Sequence, residues 1–215
     1  MTRQEVLEHI QRTRIIAIIR GEMHGKELEI AEALVEGGIS ALEISIVSPS
    51  YDAAIRKLAL HLGDRIAIGA GTVLTVEELR RVADCGASFI VSPNIDRPVI
   101  ELTRNLGLAS FPGAYTPTEI VLADRYGADA VKVFPAVSLG PPYIRALQGP
   151  LPGIRLIPTG GIHVQSLAEY QAAGAWAVGI GSELVGCQEL DHFDPQQLTD
   201  KARNFVHAGG AEIHV

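Results

Sequence analysis

Cysteine is scarce in this 215-residue chain. Its two copies, Cys85 and Cys187, lie far apart and form no C-x-x-C pair. Neither a disulfide framework nor a zinc site is indicated, and both read as ordinary packing or surface residues. Basic runs are missing too. The formal charge is −7, from 18 Lys and Arg against 25 Asp and Glu. Nucleic acid and anionic membrane both demand a basic footprint, so neither is expected as a partner. No stretch approaches the roughly 20 apolar residues of a membrane span. The N-terminal "MTRQEVLEHIQRTR" is charged and amphipathic, without the apolar core of a signal peptide. The chain therefore reads as cytoplasmic, with a small ligand. The 7 histidines are scattered with no metal-ligand spacing, and His163 reads as a loop residue. No linker interrupts the chain, so residues 1–215 are expected to form one domain.

What the sequence does have is apolar material, 47% of its residues, arranged in a repeat. Four times a helical-looking segment ends in glycine plus a small residue and an apolar run follows: "EGGISALEIS", "DCGASFIVSP", "YGADAVKVFPA" and "AGAWAVGIGS". Glycine suits a left-handed helix C-cap, and the short gap suits an α-to-β loop. Four more strand-like runs lie between them, "RIIAIIR", "RIAIGAGTV", "LASFPGA" and "IRLIPTGG". Amphipathic stretches such as "GKELEIAEALVE", "TVEELRRVADC" and "TPTEIVLADRY" separate the eight runs, their apolar residues spaced three and four apart. Alternating β and α predicts parallel strands with crossover helices. Eight units in little over two hundred residues fit an α/β fold of the (β/α)₈ TIM-barrel type, with a short N-terminal helix, better than an open doubly wound sheet.

In such a barrel, chemistry belongs at the carboxyl ends of the strands, and the odd residues of this sequence gather there. Arg20 ends the first strand, Glu43 interrupts the second, Thr72 ends the third, and "SPN" and "FPG" end the fourth and fifth. Lys132 lies in the sixth, and "PTGG" and "GIGS" end the seventh and eighth. Lys132, in "AVKVFPA", is the sharpest of these. Alternation puts Ala130, Lys132 and Phe134 on one face and Val131 and Val133 on the other, so the lysine is expected to face the interior. Burial would leave part of the amine neutral and nucleophilic, as imine formation with a ketone requires. A structural ion pair with a carboxylate is the competing reading of the same position. Glu43, in "ALEISI", is the natural partner: burial would raise its pKa toward the range useful for moving protons, or it would merely neutralise the lysine. Thr159, Gly160, Gly161, Gly181 and Ser182 form a candidate phosphate site, because bare backbone N–H groups let an anion approach closely. Arg20 could hold a second anion such as a carboxylate, with the Thr72 hydroxyl nearby.

Taken in order, "LEI" around Glu43, "GAGTVL" (69–74), "FIVSPN" (89–94), "PGAYTPTE" (112–119), "VKVFPA" (131–136), "GPPYIRALQGPLP" (140–152), "PTGG" (158–161) and "VGIGSELV" (178–185) resemble the class I 2-keto-3-deoxy-6-phosphogluconate/6-phosphogalactonate aldolase family. The likeness runs from about Arg14 to Val185. It implies a homotrimeric barrel, free of metal or other cofactor, that cleaves a keto-acid phosphate to pyruvate and D-glyceraldehyde 3-phosphate. It also implies roles: Lys132 as the imine-forming amine, Glu43 as general acid/base, and Thr72, Pro93 and Phe134 around the keto acid. Thr159, Gly160, Gly161, Gly181 and Ser182 match the phosphate cradle. Where some members carry a carboxylate-binding arginine this chain has Val47; others place it at the end of the first strand, where Arg20 stands. "SIVSPS" and "GPPYIRAL" lean toward galactonate-type members and Thr159 toward gluconate-type ones, and phosphogluconate is the favoured substrate. Phosphogalactonate or 4-hydroxy-2-oxoglutarate are alternatives within the family. A phosphate-binding barrel isomerase and a non-catalytic sugar-phosphate binder are the rivals outside it.

Overall fold

The computed structural model describes residues 1–186 and 190–211. The chain begins with α1 (Arg3–Thr13) and then alternates: β1 (Ile15–Ile19), α2 (Glu27–Glu36), β2 (Ala41–Ser45), α3 (Tyr51–Leu62), β3 (Ala67–Gly71), α4 (Val76–Asp84), β4 (Phe89–Val91) and α5 (Arg97–Asn105). It continues through β5 (Ala109–Phe111), β6 (Gly113–Ala114), α6 (Pro117–Tyr126), β7 (Val131–Val133), α7 (Gly140–Gln148), β8 (Leu156–Pro158), α8 (Val164–Ala172), β9 (Val178–Ile180) and α9 (Pro195–Ala208). All eight strand-like runs are strands. The fifth is split in two, because Pro112 has no N–H to offer the ladder. None of the helices among the described residues is long and apolar enough to cross a membrane. Cys85 is buried and free; Cys187 lies outside the described residues.

The strands form two parallel sheets, ordered β5-β4-β3-β2-β1-β9 and β6-β7-β8. Between them run a single bridge, Thr159 to Gly179, and backbone bonds from Asp129 N–H to Ser110 O (2.9 Å) and Lys132 N–H to Pro112 O (2.9 Å). Side-chain parity is uniform around both sheets. Ile15, Ala17, Leu42, Ile44, Ile68, Ala70, Ile90, Val131, Val133, Val178 and Ile180 pack outward against the helices in one large core. Ile16, Ala41, Ala67, Phe89, Val91, Ala109, Phe111, Ala130, Ile157 and Ala177 point inward to a second cluster that both sheets share. Val6, Leu7 and Ile10 of α1 join this inner cluster and close its amino end; burying each contributes roughly 1.5–3 kcal/mol. Burial on both faces explains why the strands read as continuous apolar runs.

The helix ends obey the glycine rule read from the sequence. Gly38, Gly86, Gly127 and Gly174 have φ of 93°, 97°, 98° and 98°. Each is followed by a residue whose N–H reaches five positions back, as in Ile39 to Leu34 and Ala175 to Tyr170. This pairing satisfies carbonyls that the last turn would otherwise leave bare. Helix starts are fixed as firmly. Thr75 and Glu78 form a capping box, as do Thr116 and Glu119, so α4 and α6 begin within a few residues of the strand ends that carry the site.

Candidate active site

Lys132 is where parity placed it. Ala130 lies with the inner cluster while Val131 and Val133 lie with the outer one, so β7 turns the lysine side chain inward. The residue is 9% exposed, and Glu43 on β2 is 3% exposed. The two line one cavity with Ile16, Val91, Phe111, Ile157, Thr159 and Gly179, a space of about 10 Å³ that accommodates roughly one water. Neither side chain makes a hydrogen bond or an ion pair within 4 Å with another described residue. Burial pushes the Glu43 carboxyl above its ordinary value, and the positive charge of Lys132 pulls in the opposite direction and loses. A structural ion pair would show the two groups in contact; instead they face a shared space.

Gly71 sets the position of the Glu43 carboxyl. A Cβ at residue 71 would lie 1.7 Å from Glu43 Oε1, so only glycine leaves room for this rotamer. The sequence reading passed over this glycine, which "GAGT" displays without saying what it packs against. Thr72, next in the chain, has φ of 66°. A β-branched residue in the left-handed region is a genuine outlier and costs on the order of 1–3 kcal/mol. Its hydroxyl meets that of the buried Ser45, at the end of β2, at 2.8 Å. Ser45 is a second residue that the sequence did not single out, since serine at a strand end carries no signal of its own.

Phe134, just past β7, is 40% exposed and holds its ring centroid 5.1 Å from Lys132 Nζ. The ring also borders Gly160, where a Cβ would lie 3.3 Å from it. Phe134 and Pro93 share the wall of an open groove of about 540 Å³ that extends toward Tyr115 and Tyr126. Gly113 presses on the carbonyl carbon of Pro93, 2.4 Å from where its Cβ would be, and so holds Pro93 at the rim.

The glycine-bearing ends leave backbone donors open. Gly160 and Gly161 have φ of 94° and 71°. The N–H groups of Gly161, Gly181 and Ser182 donate to no backbone carbonyl of the described residues, while the bridge from Thr159 to Gly179 draws Gly160 toward the sheet. His163 Nδ1 and Glu183 Oε2, 2.9 Å apart, tie the loop after β8 to the turn after β9; His163 is therefore a loop residue with a structural bond. Thr159 stands apart from its neighbours. Its hydroxyl donates to Ile157 O at 3.2 Å and lines the Lys132 cavity, so its side chain faces the amine and its backbone leads into the glycines.

Arg20 is exposed immediately after β1 and makes no hydrogen bond or ion pair with a described residue. Its loop is anchored where Gly21 N–H donates to Ser48 Oγ at 3.1 Å. Val47, beside Ser48, is 53% exposed and supplies no charge there. No group of three or more metal-ligating residues occurs among the described residues.

Residues 6–200 match the family described as KDPG and KHG aldolase. The chain is 38% identical over 171 residues to 2-dehydro-3-deoxy-6-phosphogalactonate aldolase of Escherichia coli strain K12, a match spanning 79% of this chain and 83% of that one. It is 35% identical over 195 residues to 2-dehydro-3-deoxy-phosphogluconate aldolase of Treponema pallidum strain Nichols, spanning 90% and 92%. A solved structure of KDPG aldolase from Legionella pneumophila, with pyruvate captured at low pH as a covalent carbinolamine intermediate, superposes with a TM-score of 0.82 at 27% identity, over 92% of this chain and 96% of that one. With the matched pattern spanning nearly the whole chain, the protein belongs to the KDPG and KHG aldolase family.

Proposed function

We propose that the chain is a class I aldolase that cleaves 2-keto-3-deoxy-6-phosphogluconate to pyruvate and D-glyceraldehyde 3-phosphate, with Lys132 as nucleophile and Glu43 as general acid/base. The observation that carries this reading is the pairing of two buried, unbonded ionisable groups across one small cavity. The covalent pyruvate adduct of the Legionella relative supports it. In the first step, Lys132 Nζ adds to the C2 ketone, and loss of water gives a protonated imine. That imine is the electron sink. Glu43 removes the C4 hydroxyl proton, directly or through the one water its cavity has room for, and the C3–C4 bond breaks. Glyceraldehyde 3-phosphate leaves, C3 of the enamine takes a proton from Glu43, and hydrolysis frees pyruvate and the amine. Burial suits the carboxyl to both halves of this cycle, since a raised pKa lets it keep the proton and then return it.

Around the reacting atoms, the Phe134 ring shields one side of the amine, and Thr72 and Pro93 flank the keto acid. Arg20 swings over to the carboxylate, while Gly160, Gly161, Gly181 and Ser182 receive the phosphate on their N–H groups. Thr159 contributes the wall beside the amine. The two sheets act as one closed (β/α)₈ barrel, residues 1–215 form one domain, and the enzyme works in the cytoplasm as a homotrimer, for which light scattering should give about 69 kDa, three times 23.0 kDa.

A second reading, the 6-phosphogalactonate epimer as substrate, is favoured by 38% identity to the galactonate enzyme against 35% to the gluconate enzyme. Both are tested by offering each epimer separately and coupling pyruvate release to lactate dehydrogenase. Faster turnover of the gluconate epimer is expected; the reverse order establishes the second reading, and no pyruvate from either overturns the assignment.

A further inference from the structure

The amino-terminal face, opposite the candidate active site, carries a cavity of about 260 Å³ lined by Gln11, Arg14, Gln148, Gly153, Arg155 and Trp176 among others. No acidic residue lines it, in a chain that carries seven more carboxylates than basic side chains. Its two arginines meet on one residue. Arg14 donates from Nε to Trp176 O at 3.1 Å and from one terminal nitrogen to Ala175 O, which leaves its other terminal nitrogen unengaged. Arg155 stacks its guanidinium 5.3 Å from the Trp176 ring centroid and makes no hydrogen bond or ion pair with a described residue. A carboxylate on a loop at this end is committed elsewhere: Asp129 accepts from Arg3 and from Ser110 N–H. Arg14 is also half-buried, and desolvation alone holds its pKa below the ordinary value, as expected of a cation lacking a counter-charge.

We propose that Arg14, Arg155 and the edge of Trp176 form an oxyanion site that takes a small phosphate-type dianion, separate from the phosphate cradle at the other end of the strands. The free fork of Arg155 and the remaining terminal nitrogen of Arg14 bring two positive charges to one dianion and present N–H groups to its oxygens. The cavity is smaller than the 300 Å³ or more typical of drug-sized ligands, which favours inorganic phosphate or a short phosphomonoester over a six-carbon sugar phosphate. The inference does not depend on the aldolase assignment.

Trp176 is the one tryptophan of the chain, so its fluorescence reports on this cavity directly. Titration with inorganic phosphate at constant ionic strength, balanced with chloride, should give a saturable change. Arg155→Met removes a side chain that makes no hydrogen bond and should weaken that response at least tenfold. Arg155→Lys, which keeps the charge and loses the fork, should weaken it severalfold, and it serves as the readout if the methionine variant is poorly folded. Ser182→Asp, which puts a carboxylate into the cradle at the opposite rim and repels an anion there, should leave it unchanged. A second titration with glycerol 3-phosphate separates the sources: tighter binding than phosphate identifies a phosphomonoester, and weaker binding identifies the free ion. A linear response, or a response intact in both Arg155 variants, overturns the proposal; so does a response lost in Ser182→Asp alone, which would place the anion at the other rim.

Discussion

The two ends of the strands differ in how they hold their polar groups. At the amino end many are bonded to one another: Ser40 Oγ donates to His9 O and meets Thr13 Oγ1 at 3.1 Å, and buried Asp129 is held by Arg3 and the Ser110 amide, although His9 Nδ1 is buried there without a partner. At the carboxyl end, Lys132 and Glu43 are buried without a bond, Thr72 sits in a costly backbone conformation, and the N–H groups of Gly161, Gly181 and Ser182 wait on two loops. A polar group left unsatisfied costs stability. Where one end of a fold gathers buried, unbonded ionisable groups and backbone strain and the other bears less of that cost, the costlier end is where the chemistry is expected. The difference predicts that substitutions at the carboxyl end lose activity while sparing stability, and that those at the amino end do the reverse.

The largest effect tests the amine. Lys132→Met should cut turnover by about 10⁴-fold or more with an unchanged circular dichroism spectrum; a variant that retains wild-type turnover removes Lys132 from the mechanism. Next, Glu43→Gln should lower kcat by roughly 10²–10⁴-fold while the lysine still forms an adduct with pyruvate. Gly71→Ala should mimic it, because the added Cβ displaces the Glu43 carboxyl; rapid turnover in this variant would show that carboxyl placement is not limiting.

Stability measurements sharpen the same contrast. Asp129→Ala, at the amino end, should cost about 1–3 kcal/mol in denaturant unfolding and leave kcat within about twofold. The smallest effect expected is in pH dependence. Glu43 has a folded-state pKa above its unfolded value, so its contribution is most favourable at low pH and is lost as pH rises through the carboxylate range toward the raised value. Glu43→Gln should therefore gain thermal stability over wild type as pH rises, by roughly 2–4 °C for each 1 kcal/mol recovered. His9, at the other end, has its pKa lowered by burial. Its share of stability should fall as pH drops below about 6.5, and His9→Gln should flatten that acid branch.

Much of this was legible in the sequence, for physical reasons. Parity along "AVKVFPA" sends Lys132 inward once both faces of the strand are apolar, and the structure bears this out. Glycines ending four helices announced four left-handed caps, and all four are present. The break at Pro112 was less visible, because "LASFPGA" reads as one apolar run until the missing N–H is weighed. Gly71 and Ser45 could not be read at all: their importance lies in the atoms across from them on β2 and β3, and pairing between strands is not written in local spacing. Thr159 shows the same limit in reverse. Its place in "PTGG" grouped it with the glycines, while the alternation of β8 turns its side chain toward Lys132.

The most direct test of the central claim is borohydride reduction in the presence of pyruvate, followed by peptide mass spectrometry. The account predicts a pyruvyl adduct on Lys132, present in Glu43→Gln and absent in Lys132→Met. Folded wild-type protein that yields no adduct, or an adduct on another lysine, would contradict it.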